Sequence, residues 1–155
     1  MTKTRIDGGP ALSSLSGADL GAAAWQTLAF SQITTFADAT GDHQWIHVDK
    51  ERIAKESPFG APIAHGYLTL ALVAGQFFEL LELHNFKMII NYGCGKVRFP
   101  SPMREGARWR LSMKLGEVKD VGGGWLEAPF LATIEIEGSP KPGCVAECIY
   151  RFLPA

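Results

Sequence analysis

The second half of the chain alternates between apolar and polar positions. Ala107, Trp109, Leu111, Met113 and Leu115 are apolar, while Arg108, Arg110, Ser112 and Lys114 between them are polar. A period of two marks a strand with one buried face. Leu126, Ala128, Phe130, Ala132, Ile134 and Ile136 repeat the pattern, as do Ala146, Cys148, Tyr150 and Phe152. Glycines at 122–124 and the segment 138–143 punctuate these runs as turns. A further strand is expected over 88–99, where Gly93 and Gly95 suggest a bulge or a close backbone approach.

The first half has helical spacing instead. Ile33, Phe36 and Ala37 form one stripe of a helix predicted over 31–40, with Ser31 as its cap and Gly41 as its stop. Residues 43–48 read as irregular, and 49–56 as a second short helix capped by Asp49. Pro58 and Pro62 make the next stretch a loop. The longest helix is predicted from His65 to about Leu83. Leu68, Leu70, Leu72, Val73, Phe77 and Phe78 spread its apolar residues over every side. A helix apolar all round is enclosed by other structure. One enclosed helix plus several antiparallel strands gives an α+β fold in which the sheet curls around the helix.

Composition narrows the class. A chain of 155 residues fits one domain, here assigned to residues 18–155, with residues 1–17 as a flexible, Gly/Ser-rich arm. Fifteen Lys and Arg against 16 Asp and Glu leave a net charge of −1, so no broad basic field favours nucleic acid or an anionic membrane. No apolar run follows Lys3 and Arg5 as a signal peptide requires, which places the expectation in the cytoplasm. The charge-poor stretch 60–78 is interrupted by Pro62, His65, Gly66, Gly75 and Gln76, and reads as a core helix rather than a membrane span. Cys94, Cys144 and Cys148 lack zinc-site spacing and are expected to be reduced, the last two on one strand face.

Three groups of residues can carry chemistry. Asp42 falls just past the helix stop, and His47 follows five residues later. A carboxylate and an imidazole on one short loop can hold a single water for acid–base work. Asp42 also suits a turn in which it bonds its own backbone, and His47 also suits a satisfied interior position. Gly66 lies in the first helical turn, where unpaired N–H groups favour partial negative charge and a missing Cβ lets a ligand approach. Close helix packing explains that glycine equally well, and His65 beside it reads as a capping or packing residue. Lys96, Arg98, Arg104, Arg108 and Arg110 form a basic group suited to phosphates or to a solvated strand face.

The pattern Phe36-Ala37-x-x-Thr40-Gly41-Asp42-x-x-x-x-His47-x-Asp49, followed by Ala64-His65-Gly66 heading a long apolar helix, resembles the MaoC-like dehydratases, including (R)-specific enoyl-CoA hydratases. Asn91-Tyr92-Gly93 and Lys96-Val97-Arg98-Phe99-Pro100 are also similar to that family, and the match runs from about Trp25 to Arg110. The resemblance implies a hotdog fold, an antiparallel sheet wrapped around a central helix, and a homodimer. It implies Asp42 and His47 as the hydratase pair and Gly66 as backbone donor to a thioester carbonyl. It further implies Trp45, His65, Tyr67, Asn91, Lys96 and Arg98 as substrate-binding residues. The substrate is then an enoyl thioester of coenzyme A or acyl carrier protein, with no metal and no other cofactor.

Two departures bear on the substrate. Gln44-Trp45 stands where many (R)-hydratases have Asn-Pro, which looks like the nodulation-protein-N-like subgroup. Ala71 stands where polyester-precursor hydratases have a serine.

The expected reaction adds water across a trans-2-enoyl thioester, with Asp42, aided by His47, as base. A hotdog thioesterase is the nearest rival. Its helix carboxylate has no counterpart here, because Glu79 lies thirteen positions after Gly66, roughly 20 Å along the axis. A non-catalytic acyl-thioester binding protein is the rival from another class.

Overall fold

The computed structural model describes residues 3–155. Its elements run β1 (Thr4–Asp7), α1 (Gly8–Ser14), β2 (Asp19–Ala22), β3 (Gln26–Thr27), α2 (Phe30–Thr40), α3 (Trp45–Val48), α4 (Lys50–Glu56) and α5 (Gly66–Leu80). There follow β4 (Leu81–His84), β5 (Phe86–Arg98), β6 (Arg108–Leu115), β7 (Lys119–Asp120), β8 (Leu126–Ile136) and β9 (Cys144–Pro154). The main sheet has the order β2-β6-β8-β9-β5, with β3 on β6 and β7 on β8, and its pairings are antiparallel.

The alternating pattern sets the sheet's inner face. Leu115 pairs with Phe130, and Phe130 with Cys148, so one inward row crosses three strands. Trp109, Leu111, Met113, Phe130, Ile134, Cys144 and Phe152 are all buried there. Helix α5 lies on this face. The Phe77 ring is fully buried, stacked on Tyr150 at 4.5 Å between centroids and edge-on to Phe130 at 5.0 Å. Burying a side chain of this size stabilises by about 1.5–3 kcal/mol. The two glycines of β5 fall at irregularities of the β5–β9 register, between Asn91 and Gly93 and between Cys94 and Val97. At Gly95 a Cβ would meet the Glu147 carboxylate, so the Glu147 side chain lies across that glycine.

Four expectations are corrected. Residues 3–17 do not form a loose arm, and Met1 and Thr2 lie outside the described residues. β1 pairs in parallel with β4, and Ile6 and Leu12 are completely buried. That pairing joins residues about 77 apart, which composition does not register. Helix α5 ends at Leu80 rather than Leu83, because Leu81–His84 is the strand that receives β1. Helix α2 is not capped by Ser31; the Gln32 side chain accepts from the Ala29 N–H at 2.9 Å.

The fourth correction concerns α5, which one chain covers only on one side. Leu68, Val73, Gln76, Phe77 and Leu80 are buried, whereas Tyr67 is 75% and Phe78 52% exposed. Ala71 and Ala74 on the open flank are exposed as well. A single sheet face can cover only part of the circumference of an apolar cylinder. Among the described residues, no helix is long and apolar enough to cross a membrane.

Candidate active site

The site begins where α2 stops. Gly41 takes a left-handed φ of 76°, and its N–H donates to the Ala37 carbonyl at 2.8 Å. The chain then turns through Asp42, whose carboxylate is exposed and accepts the Gln44 N–H at 3.3 Å. The stretch expected to be irregular closes into the single turn α3, which begins with Trp45. On that turn His47 is buried, with 6% of its surface exposed. Its Nδ1–H donates to the Ile63 carbonyl at 2.7 Å, which fixes the tautomer and leaves Nε2 with a bare lone pair. Asp49 caps α4 as expected, accepting the Arg52 N–H at 2.9 Å.

The loop before α5 supplies the rest. His65 caps that helix without a side-chain capping bond and is 3% exposed. Its ring stacks on His47 with centroids 3.7 Å apart and planes 27° apart. Its Nε2–H donates to the Asp42 backbone carbonyl at 2.9 Å. An Asp42 carboxylate oxygen and ring nitrogens of His47 and His65 all lie within 4.8 Å of one another. Groups this close can share one bridging water, whose hydrogen bonds each span about 2.8 Å.

Burial is the chief influence on His47, holding its pKa below the ordinary 6.5. The bond to Ile63 opposes this, His65 reinforces it, and the Asp42 charge opposes it. Asp42, His47 and His65 also form the cluster whose atoms lie closest to a metal-ligand arrangement.

His47 and Gly66 open onto one cavity of about 320 Å³, whose walls include Thr69, Phe99, Ser101 and Met103. Gly66 is the first residue of α5, where amide N–H groups are free of intrahelical partners. A Cβ on Gly66 would sit 3.1 Å from the Phe99 ring, so close packing favours a glycine here. It admits Phe99, and its backbone still lines the cavity.

The other residues expected to bind substrate lie outside this cavity in one chain. Tyr67 points outward on the open flank of α5, and Asn91 is exposed on β5 opposite Tyr150. Trp45 carries the Arg52 guanidinium over its ring at 4.4 Å. Lys96 and Arg98 line a separate groove of about 830 Å³ with Lys114, Leu131, Val145 and Glu147. The five basic residues therefore do not gather. Arg108 pairs with Glu137 at 3.1 Å and Arg110 with Glu135 at 2.7 Å.

Sequence reasoning missed the Ile63 carbonyl, Thr69 and Phe99 as parts of the site. No spacing rule connects Ile63 with His47, sixteen positions away; the Ile63 N–H donates to the Ile46 carbonyl at 3.3 Å, and an isolated bridge joins Ile63 to Arg104. Of the cysteines, Cys144 and Cys148 are buried as expected, and burial raises their thiols to about 11 and about 12. Cys94 is exposed.

An α+β hotdog with an aspartate and a histidine converging at the head of its central helix defines a class of protein. Residues 12–125 match the MaoC like domain, and the chain belongs to that family. It is 46% identical over 142 residues to 3-hydroxyacyl-thioester dehydratase Z of Mycobacterium tuberculosis (strain ATCC 25618 / H37Rv), covering 92% of this chain and 93% of that protein. It is 44% identical over 139 residues to Nodulation protein N of Rhizobium meliloti (strain 1021), covering 89% and 86%. Among solved structures, an R-hydratase from Pseudomonas aeruginosa superposes with a TM-score of 0.65 at 19% identity, over 90% of this chain and 81% of that one. That likeness is one of fold.

Proposed function

We propose that this protein is an enoyl-thioester hydratase that adds water to trans-2-enoyl thioesters to give (R)-3-hydroxyacyl thioesters, or runs the reverse dehydration. The observation that carries the reading is the convergence of Asp42 and His47 within 4.8 Å beside the cavity that Gly66 lines. The 46% identity to a protein named as a 3-hydroxyacyl-thioester dehydratase supports the same reaction.

Hydrogen bonding divides the roles. His47 Nδ1–H is committed to Ile63, so its Nε2 is free to take a proton from water. This moves the base from Asp42, expected from sequence, to His47. The exposed Asp42 carboxylate accepts the water's other hydrogen bond and aims its oxygen at C3. As the C3–O bond forms, the proton passes to His47 Nε2 and the C2=C3 electron pair moves toward the thioester. The Gly66 N–H at the amino end of α5 stabilises the developing enolate oxygen. His47 then returns the proton to C2 on the same face, so water's O–H bond is replaced by C3–O and C2–H bonds. The chemistry calls for no metal and no cofactor beyond the thioester carrier, coenzyme A or acyl carrier protein.

The deciding experiment is a spectrophotometric hydration assay over enoyl-CoAs of several chain lengths, with product chirality determined. Loss of the conjugated enoyl absorbance with an (R)-3-hydroxyacyl product is expected. Release of free thiol from acyl-CoA without hydration would move the assignment to a thioesterase. Ligand binding without turnover at every chain length would make it a binding protein.

A homodimer is part of the same reading. Among the described residues β5 ends the sheet order and pairs only with β9, leaving a thirteen-residue edge that exposes Met88, Ile90 and Tyr92. A long apolar edge strand is a liability in a monomer and a template for a second copy. Sedimentation should give twice the chain mass, and a strictly monomeric, active protein would refute the pairing.

A further inference from the structure

The reaction described above uses Asp42, His47 and Gly66 and leaves a second enclosed imidazole without a task. His65 is 97% buried, since 3% of its surface is exposed. The geometry points to His65 as a positioning residue: it ties the Asp42 backbone to the head of α5 and carries the His47 ring face to face, so that carboxylate and imidazole meet at one water. This inference rests on the hydration reading of the site.

The bonding around Asp42 supports it. The loop after α2 bonds mainly to itself: the Asp42 N–H reaches Thr40 Oγ1 at 3.4 Å, and the Asp42 carboxylate accepts from Gln44 at 3.3 Å. Among the described residues, the bond that joins Asp42 to a distant element is the 2.9 Å bond from His65 Nε2–H, across 23 positions of sequence. His65 is itself held firmly. Its carbonyl accepts the Thr69 N–H at 3.0 Å and the Thr69 hydroxyl at 3.2 Å, and Phe36 flanks its ring at 5.0 Å. A ring fixed in this way transmits the position of the helix head to both partners.

The bonding is also incomplete in a telling way. His65 Nδ1 is enclosed and has no hydrogen-bond partner. An unpaired buried polar atom costs stability, and an apolar ring of similar shape would fill the space without that cost. What an apolar ring cannot do is hold the Asp42 carbonyl. The titratable groups that face His47 are Asp42, from the loop after α2, and His65, from the head of α5. Of these three, His47 is the one that lines the cavity.

Two substitutions separate the donor from the ring. His65→Phe keeps a ring for the stack and loses the donor; His65→Gln keeps an N–H of similar reach and loses the stack. Both are measured in the full protein for kcat, KM, the pH profile of kcat/KM and the melting temperature. Loss of the tether in His65→Phe should lower kcat by about tenfold or more with KM nearly unchanged, the size of one well-placed hydrogen bond. His65→Gln should recover much of that loss. Its acid limb should move to higher pH, because the influence of His65 that lowers the His47 pKa is gone. Equal losses in the two variants with an unmoved acid limb would reduce His65 to a structural residue and overturn the inference, as would wild-type kcat in both. Asp42→Asn in the same assay keeps the two claims apart. If Asp42→Asn is inactive while both His65 variants are fully active, the positioning role alone fails. An active Asp42→Asn would bring down the reading of the site itself.

Discussion

The two notable cavities of this molecule differ in nearly every respect. The one at the head of α5 is about 320 Å³, and its single titratable lining residue is a buried imidazole. The groove across the outer face of the sheet is more than twice as large, about 830 Å³, and mixes Lys96, Arg98 and Lys114 with Glu117 and Glu147. Size would choose the second. Chemistry chooses the first, because its groups are fixed by bonds to the frame while those of the groove are long, exposed side chains. Burial of the His47 ring also matters: a buried group acts through a lower dielectric than one facing water.

Substitutions in the two places should therefore have very unequal effects. The largest is expected from Asp42→Asn, which removes the carboxylate that holds and aims the water and should lower kcat by about 10²-fold or more. Asp42 is exposed, so the melting temperature should hardly change. Turnover close to wild type would remove the contrast between the cavities. A smaller loss is expected from Gly66→Ala. The new methyl group would lie 3.1 Å from Phe99, whose ring must give by a few tenths of an ångström. This shift should appear as a lower melting temperature and a lowered kcat, measured together by thermal unfolding and steady-state kinetics.

Acid sharpens the comparison further. Burial keeps the folded pKa of His47 below the ordinary 6.5, so the unfolded chain binds a proton there that the folded chain resists. Stability from this group is full above pH 6.5 and falls as the pH drops below it. The neutral base also survives to lower pH than an exposed histidine would allow. The acid limb of kcat/KM should thus lie below pH 6.5, and a limb at or above that value would contradict the enclosed site. The smallest effect is expected from Lys96→Ala and Arg98→Ala together. If these side chains meet the phosphates of a carrier, KM should rise by a few-fold, more at low salt than at high, with kcat unchanged. No change at any ionic strength would leave the groove without a part in substrate binding.

Much of this was legible in the chain. The period-two runs of β6, β8 and β9 appear where alternation places them, because each strand meets the core on one face only. The Gly41 stop and the Asp49 cap are local devices, each closed by groups within a few positions. Asp42 and His47 were legible as a pair for the same reason. The limits of the elements were less legible. Leu81–Leu83 suits a helix by its own composition, yet the pairing with β1 makes it a strand.

The sequence by itself determined the elements, the inward faces of the strands and the presence of an acid and an imidazole on one short turn. These depend on residues close together along the chain, where propensity and period act directly. Only the tertiary structure decided which nitrogen of His47 is free, that His65 lies beneath it, and that Phe99 closes on Gly66. Each of these joins segments that fold from distant positions, and the energy that brings them together comes from burying the sheet against α5. Tertiary packing likewise scattered the five basic residues. Their spacing suggested a cluster, but arginines on the outer strand face pair with glutamates across the sheet, a partnership that only the register of β6 and β8 specifies.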